Sequence, residues 1–312
     1  MSDSGQFAGR VTGDEAARLL RLATTASVAT ALLLIVVKLA AFLLTDSVSI
    51  LSTLIDSLLD AAASLVNLIA VRHALVPADR EHRFGHGKAE PLAAMVQAAF
   101  ITGSAIFLVI EAMPRFFTPH AVSHSGIGIG VMAFSIVATL ALVTLQRHVI
   151  RRTGSLAISA DQLHYMGDVL VNGAVIVALV LAVELGWSFA DPAFGIAIAA
   201  YILYNAWQIA GGALDMLMDR ELPEGERARI RGVIQAHRGV LGIHDLRTRA
   251  SGPQIFIQCH IELDPGQSLL QAHAIADAVE GDLRRAFPGA EVIIHQDPFP
   301  ARGVAEGPPA PG

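Results

Sequence analysis

Residues 48–71 read VSILSTLIDSLLDAAASLVNLIAV, an apolar run long enough to cross a bilayer that still holds two carboxylates, Asp56 and Asp60. A second apolar run, residues 156–186, holds His164-Tyr165-Met166-Gly167-Asp168. Each pair is spaced four apart and shares one helix face. A carboxylate near the bilayer centre costs about 2.5–3.5 kcal/mol, so three cost roughly 8–10 kcal/mol unless a cation sits among them. At 1.5 Å per residue, Asp56 and Asp60 fall about 12 and 18 Å below the outer edge of their helix, and His164 and Asp168 roughly 9–15 Å from the inner edge of theirs. The two pairs are therefore expected to converge near the midplane. Three carboxylates and one imidazole suit tetrahedral Zn2+, bound at about 2.0–2.2 Å, and donor type alone also admits Fe2+ or Cd2+. A metal binds such groups only as they give up protons, so metal/proton exchange is the expected chemistry.

The rest of the chain agrees with a membrane setting. Of 312 residues, 53% are hydrophobic and only 16% charged, against about 25% charged in soluble domains. Six runs can span about 30 Å: residues 20–44, 48–71, 91–113, 126–146, 156–186 and 192–214. The first is too long for a signal-peptide core. Arg10, Arg18 and Arg21, then Arg72, Arg80, Arg83 and Lys88, then Arg147, Arg151 and Arg152 all fall on one side, and Arg115 alone on the other. That asymmetry predicts both termini in the cytoplasm. The net charge of −6, with no basic patch interleaved with aromatics, argues against nucleic-acid binding. The single cysteine, Cys259, excludes a disulfide framework and reads as a small buried apolar residue.

Ser64, Asn67 and Asn172 read as polar contacts between helices. Glu111 and Glu184 lie near span ends, where solvation accounts for them. Lys38 either snorkels or supplies a counter-charge.

After Leu217 the composition becomes that of a small soluble domain. A helix from Pro223 towards Gly239, a strand at 244–250, a turn at Ser251-Gly252-Pro253, a strand at 254–263, a helix at 269–286 and a strand at 291–297 are predicted. In the second strand Ile255, Ile257, Cys259 and Ile261 alternate with Phe256, Gln258, His260 and Glu262, the period of a half-buried strand. The fold class is an all-α six-helix transmembrane domain followed by a C-terminal α-β-β-α-β, metallochaperone-like α+β cytoplasmic domain. The expected parts are a cytoplasmic segment 1–19, a transmembrane domain 20–214, a cytoplasmic domain 215–300 and a disordered tail 301–312 rich in Pro and Gly.

The segments Asp56–Asp60, Phe84-Gly85-His86-Gly87-Lys88-Ala89-Glu90, Asp161–Asp168, His244-Asp245-Leu246-Arg247-Thr248-Arg249 and Ile294-His295-Gln296-Asp297-Pro298 together resemble the cation diffusion facilitator family, in particular its bacterial ferrous-iron and zinc efflux transporters. The resemblance implies a homodimer in the bacterial inner membrane. Each protomer would export Zn2+, and often Cd2+ or Fe2+, in exchange for protons. It places the transport site on Asp56, Asp60, His164 and Asp168. A second site falls on Asp79, His82 and His86 in the loop after the second span, where a solvated loop is an equally good reading of the residues. A third, two-metal site falls on His244, His260, His295 and Asp297, with His273 added across the dimer and Asp297 able to bridge. Metal there would favour the folded, paired state. Lys88 and Asp219 match a structural charge pair. Asp46 departs from the family, which often has Gly there; it either attracts cations at the exit or, the favoured reading, caps the second span.

Two other functional classes make different demands on the sequence. An intramembrane metalloenzyme needs an open metal position and a general base; no His-Glu-x-x-His is present, and no spare carboxylate stands out as that base. A membrane-anchored metal sensor needs no buried Asp pairs. A metal/proton antiporter is the expectation.

Overall fold

The computed structural model describes residues 13–46, 48–115, 126–185 and 190–299. The proposed disordered tail and Arg10 lie outside the described residues. The chain divides into a unit ending at Met218 and a unit beginning at Asp219.

The first unit holds six helices: α1 (Gly13–Thr45), α2 (Val48–Ala74), α3 (Ala89–Arg115), α4 (Gly126–Thr153), α5 (Leu156–Leu185) and α6 (Ala190–Leu217). Among the described residues, α1, α2, α3, α4 and α6 are long and apolar enough to cross a membrane. α5, 30 residues long, is the helix that carries Asp161, His164 and Asp168. α1 starts seven residues before the expected 20, with Asp14 and Glu15 in its first turn, where carboxylates favour the exposed amides of a helix start. α3 and α6 pack closely. Buried Ala98, Ala105 and Ala112 recur every seven residues on α3, as do Ala199, Ala206 and Ala213 on α6. In lipid, where apolar burial gives no preference for a neighbouring helix, small residues admit close backbone approach and dispersion contact.

Asp46 does not have the expected capping role. Its φ is +50°, and its amide donates to the Phe42 carbonyl at 2.7 Å. It closes the end of α1 in the left-handed conformation rather than opening α2. This explains why a glycine suits the position.

The second unit runs α7 (Glu224–Gln235), β1 (Gly242–Ser251), β2 (Gln254–Leu263), α8 (Leu269–Ala286) and β3 (Glu291–Pro298), the expected order. β1 and β2 pair antiparallel and β2 and β3 parallel, in the order β1-β2-β3. α8 supplies the crossover that a parallel pair requires. Its start is set by a capping box between Ser268 and Gln271, which satisfies two amides that the helix cannot. Ile230 and Ile234 of α7, Ile257, Cys259 and Ile261 of β2, Val279 and Leu283 of α8 and Val292 of β3 form one buried core. The alternation expected of β2 holds except at Phe256. Phe256 lies on the outward face yet is 4% exposed, with the Arg249 guanidinium over its ring 4.1 Å from the centroid.

Candidate metal centre

α2 carries a polar stripe, Ser57, Asp60, Ser64 and Asn67, at intervals of three and four residues. This is the spacing of one helix face. α5 meets it at three levels. His164 Nε2 lies 2.9 Å from Asp60 Oδ1. The Ser64 and Tyr165 hydroxyls bond at 2.8 Å. The Asn67 amide donates to the Ala157 carbonyl at 3.4 Å. One ligand atom each from Asp60, His164 and Asp168 falls within 4.8 Å of the other two, and all three side chains are half-buried. Asp56, the fourth expected ligand, stands one helical turn from Asp60, is exposed and lies outside this group of three. Asn172 donates to the Asp168 carbonyl at 2.7 Å, one turn back on α5 itself, so this bond is not the contact between helices expected of it.

Two charged residues stand beside the cluster, and the sequence singled out only one of them, Lys38. Lys38 on α1 donates to the Thr53 carbonyl at 3.0 Å and to Ser57 Oγ at 2.7 Å, which assigns it to the site rather than to the membrane surface. Asp161, one turn before His164, is fully buried. It accepts from Ser27 of α1 at 2.5 Å, from Gln146 of α4 at 2.7 Å and from Gln97 of α3 at 3.4 Å. Three helices thus fix the rotation of α5, and with it the direction of His164. The signal for Asp161 was available, since polar residues inside apolar spans need partners. Glu90, also buried, accepts the Leu156 amide at 3.0 Å and so satisfies one of the free N–H groups at the start of α5.

The loop after α2 gathers Asp79, His82 and His86 within 4.8 Å. The amides of Glu81 and His82 donate to Asp79 Oδ1 at 2.9 and 2.6 Å. The His82 amide first, then that of Glu81 and the nearby imidazoles, hold the Asp79 carboxyl below its ordinary range despite some desolvation.

In the second unit, sheet register makes the site. His244 pairs with His260 and His260 with His295, so one row across three strands is all histidine. Residues two apart on a strand share a face. Asp297 therefore joins this row from β3, with Oδ2 2.8 Å from His260 Nδ1 and 3.2 Å from His244 Nε2, and Oδ1 3.1 Å from His295 Nε2. Burial would raise the Asp297 carboxyl, but the His260 hydrogen bond and the three imidazoles outweigh it and hold it below the usual value. Glu262, not expected at the site, bonds His244 Nδ1 at 3.1 Å. Asp245 approaches His260 at 3.7 Å from a bulge with φ +46°. His273 is not brought into this group within one chain. It pairs with Asp277 on α8, 3.5 Å away, and is exposed. Within its own unit, Lys88 donates to the Leu217 carbonyl at 3.2 Å, and Asp219 pairs with Arg249 at 3.1 Å.

Residues 24–218 match the cation efflux transmembrane domain, and residues 222–299 match the cytoplasmic domain of cation efflux proteins. The chain belongs to the cation efflux family. Cation-efflux pump FieF of Serratia proteamaculans is 50% identical over 282 residues, covering 90% of this chain and 94% of that relative. FieF of Salmonella arizonae is 49% identical and that of Klebsiella pneumoniae subsp. pneumoniae 50%, each covering 90% of this chain and 93% of the relative. As a member of the cation efflux family the protein is a multi-pass membrane transporter and not an enzyme.

Proposed function

We propose that this member exports a divalent transition metal from the cytoplasm in exchange for protons. Zn2+ is the substrate favoured, with Fe2+ and Cd2+ admitted by the same donors. The observation that carries the reading is the approach of Asp60, His164 and Asp168 from two helices inside the apolar unit. At 1.5 Å per residue, Asp60 lies about 18 Å along α2 and His164 about 12 Å along α5, so neither is at a helix end where water would solvate it. The 2.9 Å contact between His164 Nε2 and Asp60 is held by one proton. A metal bound between these atoms takes that proton's place, which couples loading to proton release. Asp56, one turn outward, completes four ligands if α2 shifts or turns as the site changes the side it faces. Such a shift is the rocking expected of alternating access.

The protein is read as a homodimer in the bacterial inner membrane with both termini cytoplasmic. The matched domain family and the exposed apolar residues Leu269 and Leu270 at the start of α8, 83% and 78% exposed, support pairing of the cytoplasmic unit. His273 lies one turn beyond Leu269, where a second copy could complete its ligand set. His244, His260, His295 and Asp297 are read as the cytoplasmic metal site, and Asp79, His82 and His86 as the loop site.

The test is metal-stimulated proton flux in proteoliposomes under an imposed pH gradient, with Zn2+, Fe2+ and Cd2+ compared. Asp60→Ala and His164→Ala should each abolish flux while zinc bound to the cytoplasmic unit persists. Full transport by either variant would remove the site assignment. Zinc binding with no flux in the parent would favour a membrane-anchored sensor.

A further inference from the structure

The end of α2 places another imidazole beside the loop cluster. His73, in the last turn of α2, sets its ring edge-on to His86 with centroids 4.7 Å apart. The His82 and His86 centroids are 4.5 Å apart. Two imidazoles on one tetrahedral zinc, with metal–nitrogen bonds of about 2.0–2.1 Å, hold their centroids about 5 Å apart. The cytoplasmic histidine row shows the same spacing, 5.1 Å for His244 and His260 and 4.5 Å for His260 and His295.

The surrounding contacts suit ligation. His86 Nδ1 lies 3.3 Å from the Val76 carbonyl, and its Nε2 lies 3.4 Å from Asp79. A carbonyl on one ring nitrogen fixes the tautomer that offers the other nitrogen to a metal. The Val76 amide donates to the His73 carbonyl at 3.0 Å, so one short segment positions both rings. Asp79 is pinned by two amides. His73 itself is exposed. Three ligands leave one coordination position open, as an exchange site needs; a fourth closes it.

We propose that His73 is the fourth ligand of the loop cluster, closing Asp79, His82 and His86 into a three-histidine, one-carboxylate site for a divalent metal. The inference rests on reading the loop cluster as metal-binding. A closed site retains its metal. It therefore ties the end of α2 to the turn that leads into α3 and stands off the transport route.

The test uses the full chain in detergent, titrated with Co2+ and with Zn2+. The difference between the parent and His82→Ala assigns the loop equivalent. His73→Phe keeps the ring against His86 but removes its nitrogens. The expected result is that His73→Phe weakens that equivalent at least about tenfold and loses the intense visible absorption of four-coordinate cobalt. Unchanged affinity and spectrum in His73→Phe, with the equivalent lost in His82→Ala, would mean that His73 only packs, and would overturn the proposal alone. If His82→Ala removes no equivalent, the loop is not a metal site and the underlying reading fails with it.

Discussion

Lys38 of α1 donates its ammonium to Ser57 Oγ of α2 at 2.7 Å, beside Asp56 in the chain and one turn from Asp60. Its charge acts on Asp60, Asp168 and Asp56. Three carboxylates with a divalent metal leave one negative charge, and Lys38 cancels it. The same ammonium repels an entering Zn2+. Lys38→Met should therefore bind zinc more tightly and release it more slowly, lowering KM and turnover together by about tenfold. Lys38→Arg should keep both near the parent. Proteoliposome flux over a range of zinc concentrations checks this. A fall in turnover with unchanged KM would instead point to a purely structural role.

Gly167 lies between the site residues His164 and Asp168, and a Cβ there would meet Ile202 Cδ1 of α6 at 3.1 Å. Alanine displaces only the end of a flexible side chain. Leucine must push α5 away from α6, at about 1–3 kcal/mol. Gly167→Ala should transport near parent rates, and Gly167→Leu should lose most flux while the cytoplasmic histidines still bind zinc. Equal flux in the two variants would show that this approach does not position the site.

The lowered Asp297 carboxyl sets a sign for pH dependence. Its pKa in the folded state is below the ordinary value of about 3.9. The stability it contributes is thus fully present above about pH 4 and is lost as pH falls through the lower folded value. In the metal-free chain, amide exchange of β2 and β3, corrected for intrinsic rate, should lose protection below about pH 4. Asp297→Asn should be less protected at neutral pH and flatter across that window. Parallel curves for parent and variant would refute the linkage.

Asp46 holds φ +50°. A left-handed residue with a Cβ costs about 1–2 kcal/mol, less for Asp, while glycine loses roughly 0.5–1 kcal/mol of backbone entropy. Asp46→Gly should leave stability unchanged or raise it by up to about 1 kcal/mol, and Asp46→Val should lower it. Thermal unfolding in detergent measures both.

Much of this molecule is written locally. Six apolar runs, the basic side of each loop and the period-two β2 strand each follow from residues close in sequence, because hydrophobic length and periodicity report directly on solvent. The acid and histidine pairs on α2 and α5 were legible for the same reason, since a charged group in lipid is rare enough to stand out. Other features depended on neighbours distant along the chain. Arg249 stands over Phe256 from the adjacent strand. The buried Asp161 needed Gln97 and Gln146 from two other helices. The row of His244, His260 and His295 needed the pairing of three strands in one register, including a bulge after His244.

The sequence by itself therefore determined that this chain crosses the membrane, carries a small α+β domain and places carboxylates and a histidine inside two of its apolar runs. Only the tertiary structure decided that Asp60, His164 and Asp168 meet while Asp56 stands a turn away, and that Lys38 belongs to their surroundings. Helix periodicity sets which residues share a face. The rotation and height of one helix against another come from packing and from polar contacts between spans, and these have no local signature.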